Sequence, residues 1–259
     1  MLLAVAPNAF AAAPATVFLE DLTWTELRDE IRAGRTTIIV PIGGTEQNGP
    51  HMALGKHNAR VRALAERIAR ELGNALVAPV IAYVPEGSVN PPTEHMRFPG
   101  TITVPDATFE KVLESAARSF KLHGFRDVVF LGDHGGYQKD LQAVAAALNK
   151  EWTATPVRAH AIVEYYRATG VAYVAALQKR GFTAEEIGTH AGVADTSLSL
   201  ALTPGMVRGE RLGSSAPKPQ TSDGVYGDPR RSSAEVGQLG VDAIVTATVA
   251  AIRQATARR

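Results

Sequence analysis

Two short apolar segments, TTIIVPIG at 36–43 and RDVVFLG at 126–132, decide the fold. Both are rich in β-branched residues and lack the alternation of polar residues that a half-exposed strand shows. Strands that are buried on both faces are typical of parallel sheets, which helices cover on either side. The sequence therefore predicts an α/β fold, with a mostly parallel central sheet and helices on both faces in a three-layer sandwich.

Helical and strand patterns alternate on both sides of these two segments. Helices are predicted over 24–33, 58–73, 106–123, 137–150 and 171–180, with a short one after Thr183 and a last one after Ser232; further strands are predicted at 75–84, 101–104 and 156–163. Thr23, Asp106, Thr183 and Ser232 are the expected helix caps. Residues 85–100, rich in proline and glycine, predict a long loop, and loops of that length are usually functional.

Composition narrows the classes of function. The chain has 259 residues, 45% of them hydrophobic and 20% charged, which is ordinary for a globular protein. The net charge of +1 gives no indication of a nucleic-acid partner. The absence of cysteine excludes disulfides, thiolate zinc sites and cysteine nucleophiles. Because no apolar run approaches the roughly 18 residues of a membrane span, no membrane partner is expected.

The N-terminus has some features of a secretion signal. Residues 2–5 are apolar, and Ala11 to Ala15 contain the small-residue pattern that precedes a cleavage site, although a basic start is missing. The alternatives are a signal remnant and an alanine-rich tail over 1–16, followed by one domain over 17–259. We expect a periplasmic or secreted protein, with a cytoplasmic one as the alternative. Mass spectrometry of the native protein would then find a cleaved N-terminus near Ala13 to Ala15.

Five of the seven histidines stand in glycine- and proline-rich loops or at the ends of elements. They are His51, His57, His95, His134 and His190. The other two have ordinary structural explanations: His123 lies near a helix end, where a cation suits the helix dipole, and His160 lies inside a predicted strand. Because buried polar side chains need partners, the clustering of the five indicates a site.

Two polar segments follow the two buried strands directly. Glu46 follows the first strand, and Asp133-His134 with Gly135-Gly136 follows the second. Ligands of open parallel sheets bind at the carboxyl ends of the strands. Taken singly, Glu46 could cap a helix, DHGG could be a turn, and His57 could begin the next helix. Together, one glutamate and two histidines favour a divalent metal, with zinc expected and manganese or iron as alternatives.

Five segments carry a resemblance to the creatininase family. PIGGTEQNGPHMALGKH (41–57) resembles that family's P-x-G-S-x-E-Q-H-G-P-H-L-P-L-x-T-D, and EHMRFPGTITV (94–104) resembles E-H-x-x-F-P-G-T-I-S-L. GDHGGY (132–137) resembles N-G-H-G-G-N, HAGVADTS (190–197) resembles H-A-G-E-x-E-T-S, and GVYGDPRRSS (224–233) resembles the G-x-x-G-D-P segment. The segments occur in the same order and span nearly everything after residue 17.

The resemblance implies a metal-dependent amidohydrolase, often binuclear and often a hexamer, acting on cyclic or linear amides. By position, Glu46 and His134 match metal ligands, and His190 matches a histidine credited with proton transfer. His57 stands in place of an aspartate that bridges two metals, and Asn48 in place of a histidine that binds the second metal. Asp195 matches a nearby glutamate and is expected to orient or charge-pair His190. Asn48, His51, His95, Asp133, Gly135 and Gly136 are expected around the metal and the substrate.

The replacement of two family metal ligands by Asn48 and His57 predicts one metal ion per chain. Glu46, His57 and His134 would hold it, with an open position for water. The metal would acidify that water and polarise an amide carbonyl, and backbone N–H groups near Gly135 would help to hold the oxyanion. His190 would then protonate the leaving nitrogen, a task suited to a near-neutral pKa. A displaced second metal site using Asp195 or His51 is the alternative.

The predicted function is hydrolysis of a small lactam, imide or linear amide. Creatinine itself is not favoured, because Glu186 stands where creatininase has a tryptophan four residues before the HAG histidine. One alternative is a non-catalytic protein that binds a metal or small molecule at a degenerate site. Another is a lactone hydrolase, which would share the same site.

Overall fold

The computed structural model describes residues 15–214 and 222–257, and within them four parallel strands form one sheet. The strands are β1 (Thr37–Ile42), β2 (Ala75–Val77), β3 (Asp127–Gly132) and β4 (Arg158–Ala161), in the order β2-β1-β3-β4. Thr37 is in register with Ala75 on one side and with Asp127 on the other. Every residue of β1 and β3 is buried, as their apolar sequences predict.

Nine α-helices in the described residues surround the sheet. They are α1 (Trp24–Arg32), α2 (Lys56–Leu72), α3 (Asp106–His123), α4 (Gln138–Glu151), α5 (Val163–Ala168), α6 (Val174–Lys179), α7 (Ala184–Ile187), α8 (Val193–Leu202) and α9 (Ala234–Thr256). The capping boxes predicted from Thr23 and Thr183 are both present.

Alternate residues of the central strands face two separate cores. Ile39 and Val129 face the core formed with α2, α5, α8 and α9. Ile38 and Val128 face the core formed with α3 and α4, because successive side chains of a strand point to opposite faces. The prediction of a parallel sheet between two helical layers is therefore confirmed.

Two of the predicted strands are wrong in whole or in part. Strand β2 ends at Val77, and of the remaining predicted residues only Ile81 forms an isolated bridge, to Ile42. Segment 101–104 is not a strand. Its backbone N–H groups at Ile102 and Val104 donate to the carbonyls of Thr45 and Val84, so it ties two loops together instead of extending the sheet.

The start of one helix and the caps of two others also differ from prediction. The helix expected over 171–180 begins at Val163, because α5, a π-helical turn at Thr169–Tyr173 and α6 run on without a break. Pro105 rather than Asp106 occupies the N-cap of α3, with no side-chain hydrogen bond. Ser233 rather than Ser232 caps α9, by accepting a hydrogen bond from the N–H of Val236.

The last helix corrects the expectation that no apolar run is as long as a membrane span. By length and composition alone, Ala234–Thr256 is long and apolar enough to cross a bilayer. In this fold it is a core helix: its residues Val241, Ile244, Val249 and Ile252 are buried, and it packs against α2, α5 and α8.

The predicted signal or tail falls mostly on residues 1–14, which lie outside the described residues. Residues 215–221, part of the loop predicted over 202–231, also lie outside them. Export therefore stays a prediction.

Candidate active site

A cavity of about 600 Å³ opens at the carboxyl ends of β1 and β3. The two polar segments that follow these strands meet there, as their placement in a parallel sheet predicts. Residues from four other parts of the chain complete the wall: Lys56 and Arg60 of α2, His95 of the long loop, Tyr166 of α5, and the His190 segment.

Glu46 is the centre of the site. Its side chain is fully buried, and its carboxylate faces three histidines: Oε1 lies 2.7 Å from His57 Nε2, and Oε2 lies 3.1 Å from His95 Nε2 and 3.5 Å from His134 Nε2. Burial opposes ionisation of this carboxyl, but neighbouring His57 and Lys56 hold its pKa well below the usual range.

Glu86 is a second buried carboxyl at this site, and no motif in the sequence singles it out. It stands in the long loop that the sequence predicts to be functional, and its Oε2 lies 3.8 Å from His134 Nε2. Burial, reinforced by the charge of Glu46, raises the pKa of Glu86 to about 9. A cation bound near both carboxyls would favour the ionised form of Glu86.

The geometry of four side chains fits a metal ion. Glu46, Glu86, His95 and His134 each offer one ligand atom, and these atoms all lie within 4.8 Å of one another. Glu46 Oε2, although 3.1 Å from His95 Nε2, makes no hydrogen bond of good geometry in the described residues, and neither carboxyl oxygen of Glu86 does so. Buried polar atoms normally have partners. Carboxylate oxygens and imidazole nitrogens are the ligands that zinc and similar divalent ions take.

His57 lies beside this group and not within it. Its Nε2 is 2.7 Å from Glu46 Oε1 and its Nδ1 is 2.6 Å from Asp133 Oδ2. Asp133 also accepts hydrogen bonds from Arg60 Nε and the Tyr165 hydroxyl. Burial opposes the ionisation of Asp133, but Arg60 and His57 lower its pKa. The predicted role of His57 as a ligand stays a prediction, while its contacts give it a fixed place between two carboxylates.

Asn48 and His51 do not line the cavity. Asn48 Nδ2 donates to the carbonyls of Glu46 and Ala53, so it holds the loop that carries Glu46. His51 Nε2 lies 3.0 Å from the Thr196 hydroxyl. Both are therefore structural supports for the site in this fold.

Gly135 and Gly136 allow a close turn after β3. A Cβ at Gly135 would lie 2.7 Å from the Tyr166 hydroxyl oxygen, and the N–H of Gly136 donates to His134 Nδ1. The two glycines therefore orient His134 and leave room for Tyr166.

Gln47 fixes the orientation of His190. His190 Nε2 lies 2.9 Å from the backbone carbonyl of Gln47, which can only accept, and 3.2 Å from Gln47 Nε2, which can only donate. The shorter contact favours a proton on His190 Nε2. His190 Nδ1 therefore carries no proton in the neutral ring, and it lies 3.7 Å from Glu46 Oε1. Gln47 Nε2 also lies 3.0 Å from His95 Nδ1, which connects the two histidines.

Two expectations about the His190 segment need correction. Burial, reinforced by Lys56, lowers the pKa of His190 to about 3, so the ring is neutral and not near its titration point. Asp195 makes no hydrogen bond or ion pair with His190 in the described residues. Its carboxylate instead lies 3.1 Å from Lys56 Nζ and 2.8 Å from Arg60 Nη1, and it accepts the N–H of Ala191.

Left-handed backbone flanks two of the site histidines. Glu94 (φ 47°) directly precedes His95, and Ala191 (φ 55°) directly follows His190; they are the only non-glycine residues with positive φ in the described chain. Such conformations cost free energy and persist where surrounding contacts hold them, often at functional sites.

Three glycines in close contact hold the His190 segment against the loop of Tyr226. A Cβ at Gly227 would lie 2.6 Å from the Cα of Gly192 and 3.1 Å from that of Gly188. His190 and Tyr226 form an antiparallel bridge at the same place.

We expect Gly227→Ala to destabilise the protein by about 1–3 kcal/mol, because the added methyl group forces these backbones apart. Gly205→Ala is the control, since a Cβ there meets nothing within 4 Å. Urea denaturation of the two variants measures the difference, and equal stabilities would contradict the close contact.

The sequence profile of the creatininase family, described as creatinine amidohydrolase, matches residues 20–252. Creatinine amidohydrolase of Pseudomonas putida is 26% identical over 92% of this chain and 97% of its own. A mycofactocin precursor peptide peptidase of Mycobacterium tuberculosis is 30% identical over 78% of both chains. A 3-dehydro-scyllo-inosose hydrolase of Thermotoga maritima is 27% identical over 79% of this chain and 62% of its own.

Solved structures give the same result for the fold. A crystal structure of creatinine amidohydrolase superposes with a TM-score of 0.79 at 26% identity, over 95% of this chain and all of that one. A mutant creatininase described as the Zn-Zn type has a TM-score of 0.76 at 25% identity, over 93% of this chain and 98% of that one. A creatininase structure whose description names manganese has a TM-score of 0.74 at 25% identity, over 93% of this chain and 98% of that one.

Proposed function

The chain belongs to the creatininase family of hydrolases, and from that premise we propose that it hydrolyses a small cyclic or linear amide with one divalent metal ion. The observation that carries the proposal is the pair of buried carboxyls, Glu46 and Glu86, whose oxygens face His95 and His134 at the cavity. Two neighbouring buried carboxyls of this kind are costly to ionise unless a cation binds them.

Glu46, Glu86, His95 and His134 would hold the ion, and zinc is the first choice. When bound, a divalent ion supplies a Lewis acid for the amide carbonyl and lowers the pKa of a water. His57 supports Glu46 from the side away from His95, and Asp133 in turn orients His57 through its Nδ1. Outer partners of this kind typically account for about 10–100-fold in metal affinity.

His190 is the group that would move a proton. Since its Nε2 donates to the Gln47 carbonyl, Nδ1 is the nitrogen that can accept a proton near Glu46. The low pKa keeps the ring neutral at rest, so it would hold a proton only while one passes from the attacking water to the leaving nitrogen.

The substrate we propose is a small lactam, imide or linear amide other than creatinine. The relatives carry names that refer to creatinine, to a precursor peptide and to an inosose, so family membership alone leaves the substrate open. Glu186, at the position of the creatininase tryptophan, caps α7 with Thr183 and pairs with Arg231 at 2.7 Å, so it is engaged away from a substrate.

A substrate panel with and without metal tests the proposal. Protein freed of metal by chelation, then given zinc or manganese, is assayed on hydantoin, dihydrouracil, creatinine, a simple anilide and a γ-lactone. We expect hydrolysis of at least one amide other than creatinine, only with metal. Hydrolysis of the lactone alone would favour the lactonase alternative. Tight metal binding with no turnover of any amide or ester would favour a binding protein.

Oligomerisation and export are further parts of the proposal. By resemblance to the family we expect a homo-oligomer, a hexamer in particular, and light scattering on the purified protein would measure it. Export follows only from the apolar N-terminus, and an intact Met1 in the cytosolic fraction would contradict it.

A further inference from the structure

One side of the cavity is built from buried cations. Lys56 is the first residue of α2, Arg60 lies one turn later, and both side chains are almost completely buried. Lys56 Nζ lies 3.1 Å from Asp195 Oδ2 and 3.9 Å from Glu46 Oε1, yet it makes no hydrogen bond of good geometry in the described residues. A lysine ammonium is costly to bury unless opposite charge compensates it.

Lys56 therefore connects the two groups of carboxylates in the site. On one side is Glu46, which belongs to the proposed metal-binding group. On the other is Asp195, whose second oxygen Arg60 holds at 2.8 Å. The ammonium thus occupies the space between a metal-binding carboxylate and a neighbouring one, where a second divalent ion would otherwise find oxygen ligands.

The charges agree with this placement. Lys56 pairs with Asp195 and lies near Glu46, and Arg60 pairs with Asp133 and Asp195. The Lys56 ammonium therefore already places one positive charge between Glu46 and Asp195. A second divalent ion there would meet a like charge at short range in a buried site, which is costly.

We propose that the Lys56 ammonium is a fixed cation that takes the place of a second divalent ion and limits the site to one. This inference rests on the proposed metal-dependent function. It assigns to Lys56 a positioning role that acts through Glu46 and Asp195, and it makes the number of ions depend on a residue that is not a ligand.

The test is zinc binding to the full chain, measured by native mass spectrometry and equilibrium dialysis. We expect one tight zinc in the wild type. Lys56→Met removes the charge and, because methionine is one atom shorter than lysine, leaves the place of Nζ open, and we expect it to bind a second zinc at least tenfold more tightly than the wild type does. Lys111→Met is the control, because Lys111 is 75% exposed on α3 and should leave both affinities unchanged.

The outcomes separate this inference from the proposed function. One tight zinc in the wild type, with second-zinc affinities within twofold of each other in the wild type and Lys56→Met, would overturn the role of Lys56 alone. Two tight zinc ions in the wild type would overturn it without any variant. No zinc in the wild type would overturn the proposed function as well. If Lys56→Met does not fold, as circular dichroism would reveal, Lys56→Gln replaces it, with the same expectation.

Discussion

Glu46→Gln is expected to remove zinc from the protein and to abolish hydrolysis. The substitution keeps the shape of the side chain but removes the charge to which His57, His95 and His134 are all directed. The loss of metal affinity should exceed the roughly 10–100-fold effect of losing an outer partner of a ligand. Elemental analysis and equilibrium dialysis measure it.

Two other variants sharpen this result. Glu114→Gln changes a carboxylate that pairs with Lys111 and Arg118 on α3, and it should keep full zinc content. His57→Ala distinguishes the two roles of that histidine: a loss of about 10–100-fold in affinity fits an orienting residue, and a loss as large as that of Glu46→Gln makes it a ligand. Full zinc binding by Glu46→Gln would contradict the proposed metal group.

His190→Ala is expected to slow amide hydrolysis by about 10²–10⁴-fold, the usual contribution of a positioned acid or base. Zinc content should stay unchanged, because His190 does not belong to the four-residue metal group. The loss should be smaller for an anilide with a good leaving group, since such a nitrogen needs less protonation. The measurement is kcat/KM for a poor and a good leaving group, with zinc determined on the same samples.

The other outcomes have distinct meanings. Equal losses on both substrates would mean that His190 binds substrate and does not transfer a proton. Loss of zinc would make it a ligand. An unchanged rate would assign HAGVADTS a purely structural role at the start of α8.

The fold could be predicted from β1 and β3 because their residues are buried on both faces, and burial of that kind leaves a plain apolar sequence. The edges of the sheet were harder to predict. Residues 78–84 and 101–104 are apolar enough for strands, but the first segment keeps only scattered hydrogen bonds to β1, from Ala78 and Ile81, and the second pairs with loops. The hydrophobicity of a segment indicates that it is buried. It does not indicate which carbonyl will accept a hydrogen bond from each backbone N–H group.

The site was predictable where polar residues directly follow the central strands, as Glu46 and His134 do. Glu86 carries no such signal, since a single glutamate in a proline- and glycine-rich loop looks like a solvated one. Its location became clear only when the loop was seen folded over the ends of the strands. Lys56 is similar, because the first turn of a helix is an ordinary place for a lysine, and only its complete burial beside Asp195 distinguishes it.

The most direct measurement is a zinc titration of the chelated protein, followed by its rate of hydrolysis of the best amide in the panel. We predict that the chelated protein is inactive and that the rate rises linearly with added zinc until it levels off at one equivalent per chain. Full activity of the chelated protein, or a rate that levels off only at two equivalents, would contradict a hydrolase with one metal ion.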